Sequence, residues 1–163
     1  MKFRKFEDED ADFCFKTRSE AFIKKFYDEI GPEAVNAGIN AFMPSDYIRM
    51  SKEMIILIME YEFKKIGFIS IKRLSKTTAE IPLIYIKLNE ICKGFGTKAI
   101  SYIEDWVRTE WNDVNKIIID TIIPKYNGNF YKKLGYNEIG KSLCKFPDMT
   151  VEATRYEKKL FNQ

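Results

Sequence analysis

Residues 80–112, EIPLIYIKLNEICKGFGTKAISYIEDWVRTEWN, read as strand, short polar link, glycine turn and helix. Ile81, Leu83, Ile84, Tyr85, Ile86 and Leu88 form an apolar run of strand composition. It passes through Asn89, Glu90, Ile91 and Cys92 into Lys93-Gly94-Phe95-Gly96-Thr97. Beyond that turn, Ala99, Ile100, Ile103, Trp106, Val107 and Trp111 recur at helical spacing. Lys98, Ser101, Glu104, Asp105 and Arg108 supply the polar face. Two glycines two residues apart let the backbone turn tightly and approach a ligand with no Cβ in the way. The unpaired N–H groups of the helix start then point at that ligand, and the helix dipole favours an anion. Lys93 and Lys98 add positive charge, so the turn reads as a phosphate cradle. A plain strand-to-helix connection has the same pattern, and the surrounding chain must separate the two.

A chain of 163 residues suits one domain, expected over 1–163, with room for a proper core. Hydrophobic content of 45% and charged content of 31% are those of a soluble globular protein. The 27 basic and 24 acidic residues are well mixed, so no nucleic-acid partner is expected. No apolar run approaches the ~20 residues of a membrane span, and no membrane partner is expected. Acids rather than an apolar core follow Met1-Lys2-Phe3-Arg4-Lys5, so no export signal is expected either. Cys14, Cys92 and Cys144 are widely spaced, without metal-ligand pairing, and fit a reduced, cytoplasmic protein. There is no histidine, which excludes Ser-His-Asp and Cys-His mechanisms and histidine metal sites. Proton transfer is left to Glu, Asp, Tyr, Lys or water.

Along the chain, Lys2 to Phe6 reads as a short strand, and Glu7-Asp8-Glu9-Asp10 as an acidic helix entry in preference to a cation site. Ala11, Cys14, Phe15, Phe22 and Phe26 trace one face of a helix ending before Gly31-Pro32, and Pro32 opens a second helical piece. Pro44-Ser45-Asp46 marks a further turn before Tyr47-Ile48-Arg49-Met50. The aromatic, irregular region from Tyr27 to Met50 reads either as a substrate lip or as a packed cover over a sheet. Met54 to Tyr61 and Ile66 to Ile71 are strands joined by a hairpin at Glu62-Phe63-Lys64-Lys65, and Lys72 to Thr78 is a polar link. Lys116 to Ile123, nearly continuous in isoleucine, is a strand covered on both faces. With the helix before it, it forms a right-handed βαβ unit with a parallel pair. Pro124 ends that strand, a short helix runs from about Asn127 to Leu134, and Gly135 closes it. Tyr136 to Ile139 and Val151 to Leu160 supply the last strands. The order β, α, α, β, β, β, α, β, α, β, β gives an α/β fold with a mixed, mostly antiparallel sheet.

The run from Ile84 to Gly96 resembles the acetyl-CoA motif of the GNAT N-acetyltransferase superfamily, a strand followed by [Q/R]-x-x-G-x-[G/A] opening a helix. Asn127-Gly128-Asn129-Phe130-Tyr131-Lys132-Lys133-Leu134-Gly135-Tyr136 is similar to that family's F-Y-x-x-L-G-[F/Y] signature. The resemblance covers essentially the whole chain. There are departures. Ile91 stands where the family has Gln or Arg, and Cys92 replaces a common glycine. Pro82 lies within the strand, so either the strand starts near Leu83 or a bulge sits there. Pro124 occupies a place often held by asparagine, whose role Asn127 partly takes over.

The resemblance implies a GNAT-type sheet in which Leu83–Leu88 and Lys116–Ile123 start paired and splay apart, with helices flanking. Acetyl-CoA would be co-substrate, with no metal. Its pantetheine arm would bond to backbone groups near Ile86 and Leu88, its pyrophosphate would sit on the N–H groups of about Cys92, Lys93, Gly94, Phe95, Gly96 and Thr97, and Tyr85 and Ile91 would also belong to the cofactor site. Asn127, Phe130 and Tyr131 would complete the cofactor site. Tyr131 would protonate the leaving thiolate, and Glu80, at the start of the splayed strand, is the candidate base. Asp120 and Thr121 either face the cleft or form a satisfied buried pair. The acceptor would be a small amine or a peptide amine, and a homodimer stays open. Two rivals remain: a CoA- or peptide-binding module without catalysis, and a dinucleotide-binding unit using Gly94-Phe95-Gly96-Thr97-Lys98-Ala99 with Asp120.

Overall fold

A computed structural model describes residues 1–160; residues 161–163, the end of the span expected for the domain, lie outside the described residues. The elements run β1 (Lys2–Lys5), α1 (Ala11–Ala21), a π-helical turn (Phe22–Phe26), α2 (Tyr27–Asn40), α3 (Pro44–Met50), β2 (Ile55–Tyr61), β3 (Lys64–Arg73), β4 (Thr78–Glu80) and β5 (Ile84–Ile86). They continue with α4 (Phe95–Glu110), β6 (Lys116–Thr121), α5 (Pro124–Lys133), β7 (Asn137–Lys145) and β8 (Thr150–Lys159). The described strands form one open sheet in the order β1-β2-β3-β4-β6-β8-β7, with β5 also paired to β3. Only β4 and β6 run parallel among the described strands. The α/β class and the mixed, mostly antiparallel sheet are as the sequence implies. A dinucleotide-binding unit needs a sheet of parallel strands, and this one has a single parallel pair.

Strand alternation sorts the core into two layers. Leu57, Met59, Ile69, Ile71, Ile117 and Ile119 face the apolar stripe of α4, formed by Phe95, Ala99, Ile100, Ile103 and Val107. Ile56, Ile58, Phe68 and Leu83 face the other way, onto Ala11 and Cys14 of α1 and Tyr47 and Met50 of α3. β6 is therefore covered on both sides, as its isoleucines require. Glu104, which the helical spacing assigns to the polar face, is buried and holds Lys158 Nζ at 2.6 Å. In the region from Tyr27 to Met50, α2 splits at Gly31 (φ 79°) into two helical pieces, the second opened by Pro32, and α3 follows from Pro44.

Several boundaries move for identifiable reasons. The hairpin turn is the two residues Glu62 and Phe63, both left-handed (φ 49° and 62°), so β3 starts at Lys64. Pairing with β4 carries β3 to Arg73, beyond the apolar run, and the link into β4 is correspondingly shorter. Pro124 both ends the strand region and serves as first residue of α5, where its missing N–H costs nothing. β7 extends to Lys145 because it pairs along nearly the whole of β8, a ladder its polar edge sequence does not reveal.

The acidic run before α1 is a helix entry locked by ion pairs. Asp10, 1% exposed, accepts from Arg4 at 2.7 and 2.9 Å, from Lys65 Nζ at 2.6 Å and from the Glu7 N–H at 2.9 Å. It ties the edge strand, the helix start and β3 together; burial opposes its charge, but Arg4, Lys65 and the Glu7 N–H together outweigh that and hold its carboxyl well below the usual carboxylate range. Asp10→Asn, which leaves two cations facing a neutral amide, should cost about 3–5 kcal/mol in urea denaturation at pH 7. Because the folded carboxyl is the stronger acid, its contribution is complete above an unfolded value of about 3.9 and fades as pH falls below that. The gap between wild type and variant should therefore shrink in acid. A pH-independent gap would assign the effect to packing instead.

Candidate active site

The site begins where one strand breaks. Ile81 N donates to Ile118 O at 3.0 Å, the last rung between the β4 segment and β6. Pro82 has no N–H to make the next one. From there the chain bonds only to β3: Leu83 N donates to Ser70 Oγ at 3.1 Å, and Ser70 N to Leu83 O at 2.8 Å. Between the Lys72–Glu80 and Ile69–Ile84 pairs, the partner strand advances one residue more than β3. The extra residue is a bulge at Ile81-Pro82. The parallel pair is thus Thr78–Glu80 with Lys116–Ile118, not the expected Leu83–Leu88 with Lys116–Ile123, and the splay begins at Pro82.

On the α4 side the gap opens into a cleft of about 440 Å³. Tyr85, Ile86, Ile91, Cys92, Gly94, Gly96, Thr97, Asn127, Phe130 and Tyr131, all candidates from the sequence, line it. Gly94 is the N-cap of α4 in the left-handed region (φ 80°), and Cys92 is left-handed as well (φ 62°). The first bond back into this turn is Lys98 N to Gly94 O at 3.1 Å, so the N–H groups of Phe95, Gly96 and Thr97 have no acceptor within the helix. A Cβ on Gly96 would lie 3.1 Å from Phe130 Cζ, so glycine there lets α4 and α5 approach across the cleft. Three expected residues contribute no side chain to it. Phe95 is buried against Tyr61, Lys93 is paired with Glu90 at 2.8 Å, and Leu88 starts a 3₁₀ turn.

The opposite wall was not legible in the sequence. The π-helical turn after α1 directs Lys25 and Phe26 into this cleft, with Tyr126 of α5 beside them. Lys25 Nζ lies 4.4 Å from the centre of the Tyr126 ring, and burial pushes its ammonium pKa down. No spacing rule announces a π turn, which is why helical periodicity alone assigns these side chains no site.

A second cleft, about 460 Å³, lies on the α1–α3 face of the sheet. Glu80, Asp120 and Thr121 line it. Glu80 is ion-paired with Lys72 at 2.9 Å, and Asp120 holds Arg155 through two 2.8 Å contacts. Thr121 Oγ1 accepts from Ile123 N at 3.3 Å and Asn127 Nδ2 at 3.4 Å. Asp120 and Thr121 therefore both face the cleft and have partners. Phe26, Ile84, Tyr85, Asn127 and Tyr131 line both clefts, so the two meet through the splay. Tyr131 is 4% exposed, with its ring among Phe130, Tyr136 and Tyr156. Burial, and secondarily Tyr85 and Tyr156, pushes its phenol pKa up, so it stays protonated at neutral pH. Among the described residues, no group of three or more His, Cys, Asp or Glu side chains is placed to hold a metal ion. No described helix is long and apolar enough to cross a membrane.

Comparison with known proteins assigns this architecture. A family model described as acetyltransferase (GNAT) family matches residues 12–136. The chain belongs to the GNAT acetyltransferase family. No curated protein matches it. Among solved structures, it is similar to a GCN5-related N-acetyltransferase from Rhodopseudomonas palustris, with a TM-score of 0.83, 16% identity, and 98% of this chain and 95% of that one covered. It is also similar to the PaiA N-acetyltransferase of Thermoplasma acidophilum in complex with coenzyme A, at TM-score 0.76, 18% identity and coverage of 97% and 98%. YncA of Salmonella typhimurium, solved with its cofactor acetyl-CoA, gives TM-score 0.67, 15% identity and coverage of 100% and 95%.

Lys25 gives the cleft a measurable signature. A half-buried ammonium whose charge burial opposes should cost stability, so Lys25→Met should raise the ligand-free thermal midpoint by about 2–4 °C. The folded pKa is lowered, so the penalty is present below that value and vanishes above an unfolded value of about 10.4. A midpoint that falls on substitution would show the ammonium to be stabilised where it sits.

Proposed function

We propose that this protein is an N-acetyltransferase that moves an acetyl group from acetyl-CoA to a primary amine by direct attack in a ternary complex. One observation carries the reading: two clefts of similar size share Phe26, Ile84, Tyr85, Asn127 and Tyr131 in their walls and so meet at the splay. An acyl donor and an acceptor can thus approach one point from two sides. CoA-bound PaiA and acetyl-CoA-bound YncA share this fold and support the cofactor choice. The unpaired N–H groups at the start of α4 would take the pyrophosphate, and Lys25 would supply from the opposite wall the positive charge that Ile91 does not. The pantetheine amides would bond to backbone groups that β5 leaves free by parting from β6.

The acceptor amine, with a pKa of about 10.4, must lose a proton before attack. Glu80, on the acceptor side, is the proposed base, directly or through water. Nitrogen attacks the thioester carbonyl, a backbone N–H near Ile86 steadies the oxyanion, and the C–S bond breaks. Tyr131 then gives its proton to the leaving thiolate. The products are the acetamide and free CoA.

Acceptor-dependent release of thiol from acetyl-CoA, screened over amines, tests the reading, and no release with any amine would sink it. Tyr131→Phe keeps the ring and its packing but removes the acid. It should lower kcat by about 10²-fold, the lower end for general acid catalysis because a thiol near 8.5 is a fair leaving group, with acetyl-CoA affinity unchanged. Full activity in that variant would return Tyr131 to a packing role.

The glycine turn has its own test. At Gly94 a Cβ meets nothing within 4 Å, and Asp and Asn both tolerate a left-handed backbone. Gly94→Asp should weaken CoA binding in calorimetry by about 10- to 100-fold through charge repulsion, while Gly94→Asn stays near wild type. Equal affinities in the two variants would mean that the phosphates bind elsewhere.

A further inference from the structure

The acceptor cleft contains one buried charge that no carboxylate among the described residues answers. Arg18, on α1, lines this cleft yet is only 2% exposed. Its Nη1 donates to Gly38 O at 2.6 Å, and its Nε is buried without a partner. The guanidinium lies 4.4 Å from the Phe22 ring centre, 4.6 Å from that of Phe42 and 5.9 Å from that of Tyr85. Among the described residues no carboxylate pairs with it.

The other charges of the cleft differ. Glu80 is neutralised by Lys72, Asp120 by Arg155 and Arg49 by Asp46, while Glu53 and Lys145 sit exposed at its rim. A buried cation is ordinarily paired, and aromatic faces compensate only part of its lost hydration. Arg18 is thus held by stacking, by one backbone carbonyl and by the nearby Tyr47 and Tyr85 hydroxyls, all neutral groups, with its Nε donor unused. The planar guanidinium fork matches a carboxylate. It also lies within one side chain of Tyr85, on the splayed strand where both clefts meet.

We propose that Arg18 docks a carboxylate carried by the acceptor, so that the amine acetylated here belongs to a free amino acid. This rests on the acetyltransferase reading above and narrows it. Amine nitrogen bonds to the acetyl carbon, the C–S bond breaks, the ammonium proton leaves to the base, and CoA departs as thiol. The product is an N-acetylamino acid whose carboxylate remains on Arg18. A single buried cation, with Glu80, Asp120 and Arg49 already paired, suits one negative charge rather than the two of a phosphate monoester.

The test uses the protein with acetyl-CoA and a panel of free L-amino acids, each beside its carboxamide, with polyamines as controls that carry amines but no carboxylate. At least one acid should show kcat/KM about 30-fold or more above its carboxamide, mostly through KM, as expected when one partner of a buried charge pair is removed. Arg18→Lys keeps the charge but loses the fork, and should raise KM for the acid while leaving the carboxamide unaffected. Arg18→Met should abolish the discrimination. If either variant fails to fold, the acid–carboxamide contrast in the wild-type protein still decides. Equal use of acid and carboxamide, or a preference unchanged in Arg18→Met, overturns the proposal and leaves the acetyltransferase reading intact. Calorimetric binding of the same pairs to CoA-saturated protein separates the two failures. Carboxylate-dependent binding without thiol release supports the Arg18 site and refutes catalysis, whereas no preference in binding refutes the site itself.

Discussion

The arrangement depends on a missing hydrogen-bond donor. A strand in the middle of a sheet normally satisfies both neighbours, and its separation from one of them would expose polar backbone at a cost. Pro82 removes the donor at the point of separation, and Ser70 takes both the N–H and the carbonyl of Leu83 to hold the released segment on β3. The one-residue bulge absorbs the change of register. A continuous ladder would close the gap through which Tyr131, Tyr85 and Asn127 reach both clefts, and the two clefts would be separate surface grooves.

Around that gap the chain places polar groups according to what can answer them. In the cleft beside α1 and α3, Glu80 pairs with Lys72 and Asp120 with Arg155 across strands, β3 to β4 and β6 to β8, which ties the sheet together beneath the cleft. In the cleft at the start of α4, the polar groups are backbone N–H donors of that helix and one lysine from the π-helical turn. The turn matters geometrically. Its widened spacing sends Phe22 to one cleft, Lys25 to the other and Phe26 to the boundary, from five consecutive residues.

What the sequence determined by itself is local and periodic. The glycine turn with the amphipathic helix after it, the isoleucine strand and the aromatic-glycine signature near Tyr131 each rest on residue types at short spacings, and together they define the GNAT fold. Pro82 likewise announces a break, because a proline has no donor wherever the strand lies. Tertiary structure decided which partner each side chain meets. Helical spacing reads Glu104 as surface, and no sequence pattern singles out Arg18. Only packing puts the first under Lys158 and the second among Phe22, Phe42 and Tyr85. The parallel pair moved to Thr78–Glu80 for the same reason: register depends on two strands 38 residues apart meeting, as Thr78 and Lys116 do, and no local pattern encodes that meeting.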